Sequence, residues 1–125
     1  MTSKTNFGII GCSSVAKKSF IPALLKTKHA VLESVGSRSI SKSKSIAQKF
    51  HCKNFGNYDD VLENKKIDVV YISLPIALQE KWIMKAAKAG KHVLCEKSST
   101  VSYNSAQKIV KECKKNGVRI MENFS

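Results

Sequence analysis

GIIGCSSVA, residues 8–16, is the stretch that decides how the rest of the chain is read. Phe7-Gly8-Ile9-Ile10 has the apolar run of a buried strand, and a helical pattern follows Ala16. Between them, Gly11, Ser13 and Ala16 stand where a phosphate-cradling loop of the form G-x-G-x-x-G/A has its small residues. Gly11 suits the tight turn, and Ala16 is small enough for the helix to approach the sheet. Ser13 replaces the glycine at which the backbone comes close to a pyrophosphate, adding a hydroxyl donor, and the loop amides of Cys12, Ser14 and Val15 complete the cradle. Taken alone, the same residues also suit a strand-to-helix turn that binds nothing.

Outward from this loop, short apolar runs alternate with longer amphipathic ones. Residues 14–27 read as a helix that Pro22 breaks in two, and Ala30–Val35 as a second strand. A helix over Ser43–Phe50, a short strand at Asn54-Phe55 and a helix over Tyr58–Asn64 capped by Asn57 come next. Ile67–Ile72 is apolar, β-branched and ended by Leu74-Pro75, the clearest strand of all. Ala77–Ala89 is a helix stopped by Gly90, His92–Cys95 a strand, Ser102–Lys115 a helix stopped by Gly117, and Val118–Met121 a sixth strand. His92, opening its strand, is expected to pack inward. Nearly all-apolar strands need cover on both faces, and strands alternating with helices pair in parallel through right-handed crossovers. The expected fold class is therefore α/β, a doubly wound parallel sheet (Rossmann fold) with strand order 3-2-1-4-5-6, filling residues 1–125 as one dinucleotide-binding domain.

Composition narrows the function. The 125 residues are enough for one domain, and 22 Lys+Arg against 9 Asp+Glu give a net charge of +13. That charge would serve a binder of nucleic-acid backbone, but the lysines are scattered and few aromatics sit among them to stack bases, so no nucleic-acid partner is expected. No apolar run spans a membrane, no signal peptide opens the chain, and no membrane partner is expected. Cys12, Cys52, Cys95 and Cys113 form no C-x-x-C pair and have no histidine at ligand spacing, which points to no metal site and to reduced thiols in the cytoplasm.

Two further places carry chemistry. An acid at the tip of the second strand would mark NAD, but Glu33 comes too early, since the apolar strand runs on to Val35. The tip is Ser37-Arg38, with Lys42 and Lys44 beyond; a hydroxyl and a guanidinium there suit a 2′-phosphate, although Arg38 could equally be a solvated loop cation. The segment GKHVLCEKSST sets Glu96 and Lys97 at the carboxyl end of strand five, the edge where open parallel sheets bind ligands. Lys97 could hold a substrate hydroxyl or assist proton transfer, or form a surface ion pair with Glu96.

Together these segments resemble the N-terminal half of the Gfo/Idh/MocA oxidoreductase family over residues 6–125. GIIGCSSVA, GSRS, LPIALQ, AGKHVLCEKS and ENFS stand where that family has GIIGxGxIA, SR, PNxxH, AGKHVLCEKP and a closing NF. The resemblance implies a cofactor, NADP or NAD with NADP favoured, contacted through Gly11–Val15, Ser37, Arg38, Lys42, Ser73, Leu74, Pro75, Gln79, Glu96 and Lys97. It implies Lys97 as the catalytic residue and hydride transfer to or from a sugar-like or nucleotide-sugar substrate. The departures are Ile76 for the family asparagine, Gln79 for its histidine and Ser98 for the proline after Glu96-Lys97. The family's C-terminal substrate domain is expected to be missing, as in a truncated or split chain, with substrate binding only when it is supplied; the full-length form is expected to be a homo-oligomer. A stand-alone nucleotide-binding module without turnover is the alternative.

Overall fold

The computed structural model describes residues 4–96 and 103–123. They form one six-stranded parallel sheet in the order β3-β2-β1-β4-β5-β6. The strands are β1 (Thr5–Ile10), β2 (Ala30–Gly36), β3 (Asn54–Gly56), β4 (Val69–Ile72), β5 (His92–Glu96) and β6 (Ile120–Asn123). The α-helices are α1 (Ile21–Lys26), α2 (Ile40–Lys49), α3 (Tyr58–Glu63), α4 (Ile76–Lys88) and α5 (Tyr103–Lys115). This is the expected doubly wound fold and strand order.

The alternation of side chains along each strand explains the continuous apolar runs. Ile9, Val35 and Tyr71 pack with Ala16, Ile21, Leu24 and Ile46 on one face. Their neighbours Ile10, Val70 and Ile72 pack with Val61, Ile83, Ala87 and Ile109 on the other. Both faces are covered, so neither residue of a pair such as Ile9-Ile10 can be polar.

Several boundaries differ from the sequence reading for local reasons. Pro22 does not break the first helix; it sits in the first turn of α1, where a missing N–H costs little. A π-helical turn, Ala16–Phe20, precedes it, closed by the Ile21 N–H donating to the Ala16 carbonyl. α2 begins at Ile40 rather than Ser43, because the Ser39 hydroxyl accepts from the Lys42 N–H and caps it. Its first turn faces solvent, so no apolar periodicity announces it. Asn57 caps α3 as expected, in a reciprocal box with Asp60. Val118 precedes β6 rather than joining it, turned into the core as its N–H meets the Cys113 carbonyl. His92 is exposed rather than packed inward, and its Nδ1 accepts from the Arg119 N–H at 3.0 Å.

Register positions the site. Ile10 lies beside Gly36 on β2 and beside Ile72 on β4. The three strands therefore end on one line, and Gly11, Ser37 and Ser73, the next residue of each, come together. This is the point where strand order reverses, the place at which open α/β sheets bind ligands.

Candidate functional site

At that reversal lies a cleft of about 240 Å³ lined by Gly11, Cys12, Ser13, Ser37, Arg38, Ser39, Lys42, Tyr58, Ser73, Leu74 and Pro75. A larger depression of about 670 Å³ runs along α5 alone, beside Tyr103, Val110 and Lys111. Among the described residues it gathers no polar groups from a second element, whereas the smaller cleft collects them from the tips of β1, β2 and β4.

Gly11 makes the turn out of β1 with φ of 99°, a region L side chains rarely enter. A Cβ there would collide with the Ser73 carbonyl oxygen and stand 2.8 Å from Leu74 Cδ2. The turn is held by the Gly11 N–H donating to the Gly36 carbonyl at 3.1 Å and the Ser73 N–H donating to the Ile10 carbonyl at 3.1 Å. Cys12 is buried, its Sγ 3.8 Å from the Gly36 carbonyl. Burial pushes its thiol up, against the pull of Lys42 and Lys17 and a hydrogen bond with Ser37, so at neutral pH it is an uncharged wall of the cleft.

Ser13 caps the helix that starts at Ser14. Its hydroxyl accepts from the Ala16 N–H at 3.1 Å and its carbonyl from the Lys17 N–H at 3.0 Å. The same hydroxyl lies 2.6 Å from that of Ser73. Ser14 and Val15 are exposed in the first turn, where helix amides lack intrahelical acceptors and are suited to bind an anion.

The β2 tip supplies charge. Ser37 is buried, its N–H donating to the Gly56 carbonyl and its hydroxyl accepting from the Ser39 N–H at 3.3 Å. Arg38 and Lys42 stand exposed on the same rim. Glu33 lies back within β2, its carboxylate accepting from Asn54 Nδ2 at 2.9 Å, and so does not reach the tip. Tyr58 lines the cleft although the sequence reading did not single it out. Burial pushes its phenol up, against the pull of Arg38, and its ring meets Trp82 edge-on at 4.9 Å. The available signal was the Asn57 cap, which starts α3 at the carboxyl end of β3 and so puts Tyr58 on the ligand edge.

The other expected residues divide. Ser73, Leu74 and Pro75 line the cleft. Gln79 lies behind them, buried, with Oε1 accepting from the Leu74 N–H at 3.1 Å, so it props the turn rather than lining the cavity. Glu96 ends β5, one strand beyond, and accepts a short hydrogen bond from the Tyr71 hydroxyl. Tyr71 is fixed by stacking on Phe20 at 3.8 Å. Lys97 and Ser98 lie outside the described residues.

This donor set suits a ligand with a diphosphate and a further phosphate: helix amides and serine hydroxyls beside Gly11, and two cations beside Ser37. Comparison with known proteins bears on the family to which this fold belongs. The model of the oxidoreductase family with an NAD-binding Rossmann fold matches residues 5–124. The dTDP-3,4-didehydro-2,6-dideoxy-alpha-D-glucose 3-reductase of Streptomyces violaceoruber is 35% identical over 117 residues, covering 94% of this chain and 34% of that protein. The D-xylose 1-dehydrogenase (NADP(+)) 2 of Haloferax volcanii is 34% identical over 119 residues, covering 94% and 36%. The crystal structure of a 3-ketoreductase from Actinomadura kijaniata, in complex with TDP-benzene and NADP, superposes with a TM-score of 0.93 at 32% identity, covering 98% of this chain and 39% of that one. The chain thus spans about a third of the length of the curated relatives it matches. Its match along residues 5–124, together with the glycine turn at the strand-order reversal, places the chain in the Gfo/Idh/MocA oxidoreductase family, as that family's NAD-binding Rossmann fold.

Proposed function

We propose that this chain holds NADP(H), in preference to NAD(H), for an oxidoreductase acting on a sugar-like or nucleotide-sugar substrate. The observation that carries the preference is the pairing of Arg38 and Lys42 on the cleft rim beside buried Ser37, with Glu33 withdrawn to Asn54. The Haloferax relative's NADP(+) and the NADP in the Actinomadura enzyme support the same choice.

Bound here, the dinucleotide supplies hydride chemistry at its nicotinamide ring. The amides of Ser14 and Val15 would hold its diphosphate, and Arg38 and Lys42 would neutralise a 2′-phosphate. Gly11 permits the turn that places those amides, since a Cβ there would collide with the Ser73 carbonyl. Lys97 would orient the substrate hydroxyl and, as the neutral amine, would take the carbinol proton in the oxidative direction and, as the ammonium, return it in the reductive one. One lysine does not make a substrate pocket, and positioning of this kind is worth roughly 7–11 kcal/mol, so the 125-residue chain alone binds cofactor but turns over no sugar.

Calorimetry with NADP+ and NAD+ tests the reading. Arg38→Ala removes a charge-assisted contact worth about 1.5–3 kcal/mol and should abolish most of the preference. Equal affinity for the two cofactors in the parent, or an unchanged ratio in the variant, refutes it. Steady NADPH turnover by residues 1–125 alone refutes the division of labour.

A further inference from the structure

We infer that Ser13 and Ser73 act as one hydroxyl pair, which presents a single O–H to the diphosphate of the bound dinucleotide whichever of the two serines carries it. The inference rests on the dinucleotide reading above and adds to it a division of protons between Ser13 and Ser73.

The argument is a count of protons and lone pairs. The two hydroxyls lie 2.6 Å apart, so one donates to the other. Ser13 Oγ also accepts from the Ala16 N–H, which occupies one of its acceptor positions. If Ser73 donates to Ser13, both acceptor positions of Ser13 are filled and the Ser13 proton is left over. If Ser13 donates to Ser73, the Ser73 proton is left over. In either arrangement one proton remains, and both serines line the same cleft. An anionic oxygen there selects whichever orientation sends it a proton, and the second hydroxyl turns to support the first.

The pair also answers the loop's missing glycine. Ser13 takes up the Ala16 amide as its helix cap, so that amide faces inward to the hydroxyl rather than outward to a phosphate. The leftover O–H restores one donor to the cleft. Ser73 reaches this position only because β4 lies beside β1 with Ile72 opposite Ile10.

A double-mutant cycle on the 125-residue chain tests the pair, with NADP+ as the titrant. Ser73→Ala in the parent leaves Ser13 its own proton for the ligand, and affinity should change by less than about threefold. Ser13→Gly, a tolerated cap, leaves Ser73 its proton and should behave alike. Ser73→Ala in the Ser13→Gly background removes the last hydroxyl and should weaken binding by about tenfold or more, the loss of one hydrogen bond to a charged acceptor. Ser73→Thr in that background should retain binding. Melting temperatures without cofactor establish that each variant is folded, and Ser13→Ala replaces Ser13→Gly should the latter fail to fold. A similar small factor for Ser73→Ala in both backgrounds overturns the pair, because the hydroxyls then meet no acceptor. A large factor in the parent that vanishes beside Ser13→Gly also overturns it, because Ser73 then works only through Ser13. A parent chain that binds no NADP+ overturns the cofactor reading itself.

Discussion

Gly11→Ala is the most demanding test of the site. The backbone at residue 11 has φ of 99°, and holding an L residue in such a region costs of order 1–3 kcal/mol. The added methyl would also run into the Ser73 carbonyl oxygen, with Leu74 Cδ2 at 2.8 Å and the Ser73 carbonyl carbon at 3.1 Å. Leu74 can rotate away, but Ser73 is backbone. Its N–H is bonded to the Ile10 carbonyl, and the next amide, Leu74, to Gln79 Oε1. Moving the β4 tip aside strains both bonds, at about 1 kcal/mol each if they are lost. Together the loss is about 3–5 kcal/mol with both bonds lost, no more than the lower end of the 5–15 kcal/mol of a typical domain, so the variant folds but is weakened. Urea denaturation should show a lower midpoint at an unchanged slope. The distorted turn tilts the helix amides and reshapes the cleft wall, so NADP+ affinity should fall by about tenfold or more. A stability loss under about 1 kcal/mol together with affinity within twofold of the parent would show that the turn is not the constraint the geometry makes it.

Other tests reach further into the fold. Lys91 is buried, and its ammonium donates to the carbonyls of Asn64 at 2.7 Å and Ile67 at 2.9 Å, pinning the entry to β4. Lys91→Met should cost about 1–3 kcal/mol in urea denaturation by stranding those carbonyls, and a neutral result would mean that water replaces the ammonium. Ser13→Leu should abolish cofactor binding by crowding the cleft while the domain stays folded; normal binding in a fluorescence titration would move the diphosphate elsewhere. Burial raises the Cys12 thiol above its ordinary value of 9.0, so folding retains a proton that the unfolded chain releases. Its contribution to stability is full below about pH 9 and is lost as pH rises through the folded value. The stability difference between the parent and Cys12→Ala should therefore shrink in alkali, and a difference independent of pH between 8 and 11 would contradict this.

Much of the fold was legible because burial on both faces of a sheet writes itself locally. Ile9-Ile10 and Val70-Tyr71-Ile72 carry no charged residue, and their side chains pack in the clusters on both faces of the sheet. Gly11, Asn57 and Gly117 mark turns and caps whose chemistry depends on one or two neighbours. The ends of elements were less legible. α2 gains its first turn from a serine cap rather than an apolar stripe, and Pro22 is absorbed by a π-helical turn instead of ending a helix.

The same division runs through the site. The sequence by itself determined which loop faces the ligand, since Gly8–Ala16 holds its strand, turn, cap and helix start within nine residues. Only the tertiary structure decided that Ser13 meets Ser73 sixty positions away, that Gln79 turns back to brace Leu74, and that Tyr58 joins the cleft. The meeting of Ser13 with Ser73 and the entry of Tyr58 depend on the register of β1 against β4 and on the level at which β3 ends beside β2. Register is a property of strands once paired: a shift of one residue would send every alternate side chain to the opposite face and separate both pairs.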